Sequence, residues 1–552
     1  MRRVFWAAVD QLAAFDLFHL AVMLAIVLGV FVRAEYVFSA DFPLNDGGLF
    51  YQMAREIQQA HFALPTVTAY NQANIPFAYP PLGFYLVAAL DQLTPVSLMQ
   101  WFRFIPLATA SLMLVAFFAL ARDVLRARLV VAVAVFAFAL VPRSFIWLLM
   151  GGGVARSLGL LLAIFALHQV YRMYTTGRWW YAGTSMVCAA LTVLSHLQTG
   201  SFLAFSALLF FAAYGLHRRG VLTSVAVAVG TLVLTAPWWG LVLARHGMEP
   251  FLAANATGGS IFSDAALRSY LIDSALSLRT TSEPLFPLIA TLAFLGILAS
   301  VTTRRFLLPA WWLAIILLDA RAFPTFSTVP VALLAGVGLT DVLLPVVMRP
   351  LRGGTWGTDD ASADEEHLLD GVSPARLMRS WAPVLLGAFL WYTTTGALMR
   401  AGETTILTAL SPDERAAMQW ARDQTKAESR FLVVSGEAWA VDKTSEWFHV
   451  LADRVSVATP QGYEWVSGGV FAKRVEEHDE VQGCAYAESA CLHEWSKLHG
   501  VAFDYLFIPK IEQNACCEYL LRSLRADPQF RTVHDGPGAI IFEFRREPAR
   551  SS

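Results

Sequence analysis

Apolar runs of about 20 residues recur through the first three-quarters of the chain, and few sequence features restrict a fold so tightly. They fall near residues 17–36, 97–121, 129–149, 156–174, 180–195, 200–216, 221–240, 285–302, 305–319, 325–347 and 381–399. A stretch of that length with almost no charge matches the thickness of a bilayer when helical. In lipid only a helix or a closed barrel satisfies its own backbone. Roughly eleven transmembrane helices are expected, in an α-helical polytopic membrane protein. The composition agrees: 56% of the 552 residues are hydrophobic and 15% charged, against about 45–50% and about 25% in an ordinary soluble domain. The net charge of −2 comes with short basic clusters and no basic patch or tail, which excludes a nucleic-acid partner.

Those clusters set the expected orientation. Arg2 and Arg3, the arginines at 122, 126 and 128, at 172 and 178, at 218 and 219, at 304 and 305, and at 349, 352, 376 and 379 alternate with uncharged ends. By the positive-inside rule the N-terminus is cytoplasmic. The first run lacks an A-x-A cleavage site and reads as a retained span. Loop 37–96, the turns near 142–155 and 196–199, loop 241–284, the turn at 320–324 and the C-terminal part then all face outward. The acidic segment within loop 349–380 is expected in the cytoplasm and is assigned no chemistry.

Beyond the transmembrane domain, residues 1–403, the composition becomes that of a soluble domain, 404–552. Ser411-Pro412 with Glu414 is the signature of a capping box with proline at the first helical position. FLVVSG (431–436), RVSVAT (454–459), DYLFIP (504–509) and AIIFEF (539–544) read as strands, and 485–499 and 515–526 as helices. Alternating strands and helices predict an extracytoplasmic α/β domain. Cys484, Cys491, Cys516 and Cys517 cluster there, which suits an oxidising compartment and leaves three disulfide connectivities open. Cys188 falls within a span. Trp439, Trp447, Tyr463 and Trp465 read as core aromatics, with a glycan platform as the functional alternative.

The polar residues nearest the membrane raise the functional question. DFPLNDGGLFY (41–51) follows the first span, and FAYPPLGFYL (77–86) precedes the next. Taken alone, Asp46 reads as the N-cap of an amphipathic helix on the bilayer surface, with Leu49, Phe50, Met53 and Ile57 on one face. Its Gly47-Gly48 suits a turn or a close approach of backbone to a sugar ring.

An acidic residue at the start of the first outward loop, a juxtamembrane amphipathic helix and then Tyr79-Pro80-Pro81-Leu82 together resemble the polyprenyl-phosphate-dependent glycosyltransferases of the GT-C fold. That superfamily includes the protein O-mannosyltransferases and lipid A aminoarabinose transferases. LDARAFPTFSTVPVALLAGVGL (318–339) resembles its late membrane segment, and GGGVARSLGLLLAIFALH (151–168) and LSHLQTGSF (194–202) look like segments of its prokaryotic members. The resemblance spans about residues 15–400. It implies a catalytic base at Asp46, with Asp41 second, and a lipid-linked sugar as donor substrate in a prokaryotic cytoplasmic membrane. The chain departs from the pattern where Asp-Glu is common, since Gly47 follows Asp46. That puts in doubt a metal site built on a second acidic residue; a divalent cation stays open as a cofactor, and no other cofactor is indicated.

Sugar transfer from a lipid phosphate needs a carboxylate for the acceptor proton and cations for the departing phosphate. Arg321, then Arg156 and Arg143, are the candidate phosphate ligands, each weighed against an arginine snorkelling at a helix end. His196 lies beside Gln198 and Thr199 at an outward helix end, as a sugar ligand or a structural histidine. Tyr51, Tyr79 and Tyr85 would stack on sugar or isoprenoid, or serve as interfacial aromatics. No metal-ligand spacing stands out. The acceptor would be a glycan, lipid or protein hydroxyl. The rival readings are a lipid or glycan transporter or flippase, against which stand the absence of repeated halves, and a non-catalytic scaffold in which Asp46 serves only as a cap.

Overall fold

The computed structural model describes residues 17–257, 269, 272, 278–318, 322–347, 381–403, 407–511, 514–515 and 517–545. Loop 349–380, Arg321 and Cys516 therefore lie outside the described residues.

Each apolar run forms a helix. They are α1 (Leu17–Phe38), α4 (Leu98–Leu125), α5 (Arg128–Leu140), α6 (Gly153–Thr176), α7 (Trp179–Ser195), α8 (Leu197–Gly215), α9 (Arg218–His246), α11 (Leu288–Thr302), α12 (Leu307–Leu318), α13 (Phe323–Val347) and α14 (Ala382–Glu403). Seven of them, α1, α4, α6, α8, α9, α13 and α14, are long and apolar enough to cross a membrane. Of the other four, α5 falls well short of the run that the sequence suggests. The run at 129–149 stops at Leu140 because Pro142 supplies no N–H to extend the helix, and the chain passes through a tight turn, Pro142–Ser144, before α6.

Buried polar contacts register the bundle. The Arg33 guanidinium of α1 is fully enclosed and donates to the carbonyls of Gly29 (2.9 Å) and Ala139 (2.7 Å) and to Ser144 Oγ (3.1 Å). It thereby ties the Pro142–Ser144 turn to α1 and α5. Trp311 of α12 donates to Ser206 Oγ of α8 at 2.8 Å. These hydrogen bonds offset much of the cost of holding such groups in an apolar interior.

The segment after α1 folds back on the bundle. It contains α2 (Gly48–Gln59), a two-residue hairpin of β1 (Val67–Thr68) and β2 (Ile75–Pro76), and α3 (Leu82–Leu93). The amphipathic face of α2 was expected on lipid, but Leu49, Met53 and Ile57 are buried in a cluster with Phe84 and Val87 of α3, Phe102 of α4 and Trp465 of the C-terminal domain. The face is covered by protein because α3 and the C-terminal domain dock on it.

The C-terminal domain is α/β. Its helices are α15 (Pro412–Gln424), α16 (Lys443–Ala452), α17 (Val470–Gly483), α18 (Ser489–His499) and α19 (Glu518–Ala526). The strands are β3 (Arg430–Val433), β4 (Val455–Ser456), β5 (Tyr505–Ile511), β6 (Asn514–Ala515), β7 (Phe530–Asp535) and β8 (Ala539–Phe544). They run in the order β4-β3-β5-β8-β7, with β6 on β5; β3 is parallel to β4 and β5, and β8 antiparallel to β5 and β7. The capping box at Ser411 forms with both of its hydrogen bonds. α16 has its own cap: Asp442 accepts from Ser445 N–H, and the same carboxylate meets the enclosed His478 ring at 3.0 Å. That carboxylate lifts His478 to about 9 against the opposing effect of burial.

Cys484 and Cys491 form a disulfide, which closes one of the connectivities left open by the sequence. The closed loop is short, so replacing both by serine is expected to cost about 2 kcal/mol of domain stability. Thermal unfolding of the double variant measures this; an unchanged melting temperature would contradict it.

Candidate active site

Asp46 sits where three parts of the chain converge. The loop between α1 and α2 is stitched to the linker before α15 by Asn45 N–H to Thr408 C=O (2.9 Å), to the glycine turn before α6 by Gly151 N–H to Leu44 C=O (2.9 Å), and to α16 by the Trp447 indole N–H to Asn45 C=O (2.7 Å). Asn45 and Gly47 take positive φ angles of 48° and 121° to make the reversal. The second of these strains any residue with a Cβ.

The Asp46 carboxylate does not cap its own helix. Oδ1 accepts from Gly152 N–H at 2.7 Å, and Oδ2 meets Arg156 Nη2 at 2.6 Å. Asp46 thus sits at the N-terminus of the membrane helix α6, where unsatisfied N–H groups and the helix dipole favour an anion. Side-chain exposures of 17% for Asp46 and 25% for Arg156 leave the pair reachable from one side. A Cβ on Gly152 would lie 2.8 Å from Asp46 Oδ2 and 2.9 Å from Arg156 Nη2. Gly152→Ala is therefore expected to push the pair apart and lower turnover at least tenfold with little loss of stability; turnover equal to wild type in the same assay would contradict this.

Aromatic and polar groups border the pair. The Tyr79 ring packs against Phe50 (4.7 Å between centroids), Trp465 (5.5 Å) and His196 (6.2 Å). Tyr79 and Glu446 both lie near the Arg156 guanidinium. His196 caps α8, its Nδ1 accepting from Thr199 N–H at 3.3 Å and meeting Thr199 Oγ1 at 2.9 Å. Gly159, one turn beyond Arg156, gives His196 room to approach α6.

No motif in the sequence points to Glu446. This residue of α16 is 7% exposed, and its Oε1 accepts from Gly47 N–H at 2.9 Å. Glu446 thus meets the chain at the N-terminal end of α2. Burial, reinforced by the Asp46 charge, pushes its carboxyl up to about 8.

Asp46 already faces a guanidinium, and among the described residues no three His, Cys, Asp or Glu side chains gather. Among the described residues, Asp46 therefore has no second and third acidic, His or Cys ligand for a metal ion.

No protein-family model and no curated protein matches the sequence, but solved structures match the fold. The archaeal oligosaccharyltransferase AglB from Archaeoglobus fulgidus, in complex with an inhibitory peptide and a dolichol-phosphate, aligns with TM-score 0.55 at 13% identity over 88% of this chain and 69% of its own. ArnT from Cupriavidus metallidurans in the apo state aligns with TM-score 0.51 at 16% identity over 96% and 98%. The arabinofuranosyltransferase AftD from Mycobacteria aligns with TM-score 0.52 at 15% identity over 96% of this chain and 40% of its own. The chain has the GT-C fold.

Within this GT-C fold the sequence candidates separate. Asp46, Arg156, Tyr79 and His196 come together. Asp41 does not join them: its side chain is 65% exposed and pairs with Arg415 Nη2 of α15 at 2.6 Å, a hydrogen bond that holds it below the usual carboxylate range. It serves as a strut between loop and C-terminal domain. Arg143 stands on the Pro142–Ser144 turn with its guanidinium 5.1 Å from the Trp147 ring centroid. The Tyr85 hydroxyl donates to Phe62 C=O at 3.2 Å, and the Tyr51 ring packs between Phe102 and Trp447. Trp447 and Trp465 are buried and work as core aromatics. Gly47 and Gly48 bring the backbone against α16; Gly48 has no room for a Cβ beside Glu446 C=O.

Proposed function

We propose that the chain is an inverting glycosyltransferase that moves a sugar from a polyprenyl-phosphate donor to an acceptor hydroxyl on the extracytoplasmic face of a prokaryotic cytoplasmic membrane. The observation that carries this reading is the partly exposed Asp46 carboxylate, fixed by Gly152 N–H and Arg156 at the end of a membrane helix. The dolichol-phosphate in the AglB complex supports a lipid phosphate as the donor class.

Asp46 takes the proton of the acceptor hydroxyl as its oxygen attacks the anomeric carbon. The bond from that carbon to the phosphate oxygen breaks, and its electron pair leaves with the phosphate. Protonation neutralises Asp46 and releases the Arg156 charge, which then serves the departing phosphate. A fork of N–H donors on a permanent cation suits that transfer of allegiance. Arg321 is proposed as a second phosphate ligand from its position in the sequence. Tyr79 and His196 border the sugar. A cavity of about 370 Å³ between α10 (Glu249–Ala256) and the segment Glu464–Ala472 lies beyond Trp465 and is proposed to receive the acceptor.

One observation favours a scaffold instead: both Asp46 oxygens already have partners. Release of polyprenyl phosphate from a panel of lipid-linked sugars by purified protein separates the two readings. Acceptor-dependent release supports the enzyme, and its absence with every donor supports the scaffold.

A further inference from the structure

The main chain on both flanks of Asp46 is held by consecutive residues of the C-terminal domain. On one side the Trp447 indole donates to Asn45 C=O at 2.7 Å. On the other, Glu446 Oε1 accepts from Gly47 N–H at 2.9 Å. Trp447 is fully buried against Phe42, 4.8 Å between ring centroids, so the clamp cannot swing without opening a core. The Tyr70 hydroxyl donates to Glu446 C=O at 2.6 Å and locks α16 from the first loop. Asp442 and His478 anchor the same helix from inside the domain. A carboxyl buried beside another carboxylate is a costly arrangement, and a simple packing contact would be met by an apolar side chain.

We propose that Glu446 and Trp447 are positioning residues of the transferase reading above: the C-terminal domain completes the active site by gripping Asn45 and Gly47, fixing where the Asp46 carboxylate points. This rests on the proposed role of Asp46 as base.

The charge state of Glu446 adds a readout. Asp46 faces it from the loop, Arg156 from α6 and Tyr70 from the first loop, with Glu464 and Asp442 near Tyr70. Its carboxyl is raised from 4.5 to about 8 in the folded chain. A raised acid favours the folded, docked state fully below its unfolded value and loses that contribution as pH rises through about 8. Ionised Glu446 also repels Asp46 and competes for Arg156, so turnover should fall with a midpoint near 8.

The test compares Glu446→Ala, Glu446→Gln and Trp447→Phe with wild type in nanodiscs, by turnover from pH 6 to 9.5 and by hydrogen exchange in the peptide covering residues 42–52. Glu446→Ala is expected to lower kcat at least tenfold with a smaller change in KM and to speed exchange at Gly47 and Leu49. Glu446→Gln keeps the acceptor atom, recovers most of the loss and removes the fall near pH 8. Trp447→Phe removes the indole N–H together with part of the buried ring system; it should lower kcat severalfold and, through the cavity it leaves, also lower the melting temperature. Wild-type exchange and turnover in Glu446→Ala, or an alkaline fall that persists in Glu446→Gln, would overturn the proposal. If wild type turns over no donor, the transferase reading fails, while exchange at 42–52 still decides whether the clamp exists.

Discussion

Asp46→Asn lowers turnover by about 10²–10⁴-fold, the range that loss of a positioned general base produces. The substitution is nearly isosteric, and the Asn carbonyl still accepts from Gly152 N–H, so the α6 terminus stays capped. What disappears is the proton acceptor and the charge that faces Arg156. Asp41→Asn is the matched control: Asp41 is 65% exposed on the far side of the loop, and its variant is expected to stay within about twofold of wild type. Quantifying lipid-phosphate release by both variants at equal membrane content checks the pair. Equal loss in both would mean that the loop, and not the Asp46 carboxylate, is what matters.

Arg156→Gln has the second large effect. A hydrogen bond to a charged group contributes about 1.5–3 kcal/mol, and in this account Arg156 makes one to Asp46 before transfer and one to phosphate during it. Turnover should drop roughly 10²-fold, and the KM for donor should rise. Arg156→Lys restores a cation but not the fork, and recovers part of the loss. The split is informative. A role confined to orienting Asp46 would lower kcat alone, whereas a phosphate ligand changes KM for donor as well.

Much of the membrane domain was legible because lipid imposes one rule on every span. The eleven runs all became helices, and the misjudged one, 129–149, was cut by Pro142 for a reason visible in the sequence. The α/β character of the C-terminal part also showed through its strand-helix alternation. Its edges did not: β7 is largely exposed, and β6 is two residues long. Both lack the apolar run that marks a buried strand.

The site was legible only in part. Asp46 and Tyr79 were found through local motifs, and Arg156 as a charge at a helix end. Glu446 is separated from Gly47 by almost four hundred residues and sits in a helix whose sequence, KTSEWFHVLA, reads as ordinary packing. No spacing rule links residues brought together only by domain docking. The same docking explains why Gly47-Gly48, read as a turn or as room for a sugar, makes the turn and also admits α16.

The most direct test of the central claim is the anomeric configuration of the product formed by purified protein from a defined polyprenyl-phosphate sugar, read by NMR beside the release of polyprenyl phosphate. Direct attack by an acceptor activated at Asp46 predicts inversion, with product and lipid phosphate in equal amounts and neither formed by Asp46→Asn. A product of retained configuration, or no lipid phosphate released by wild type, would contradict it.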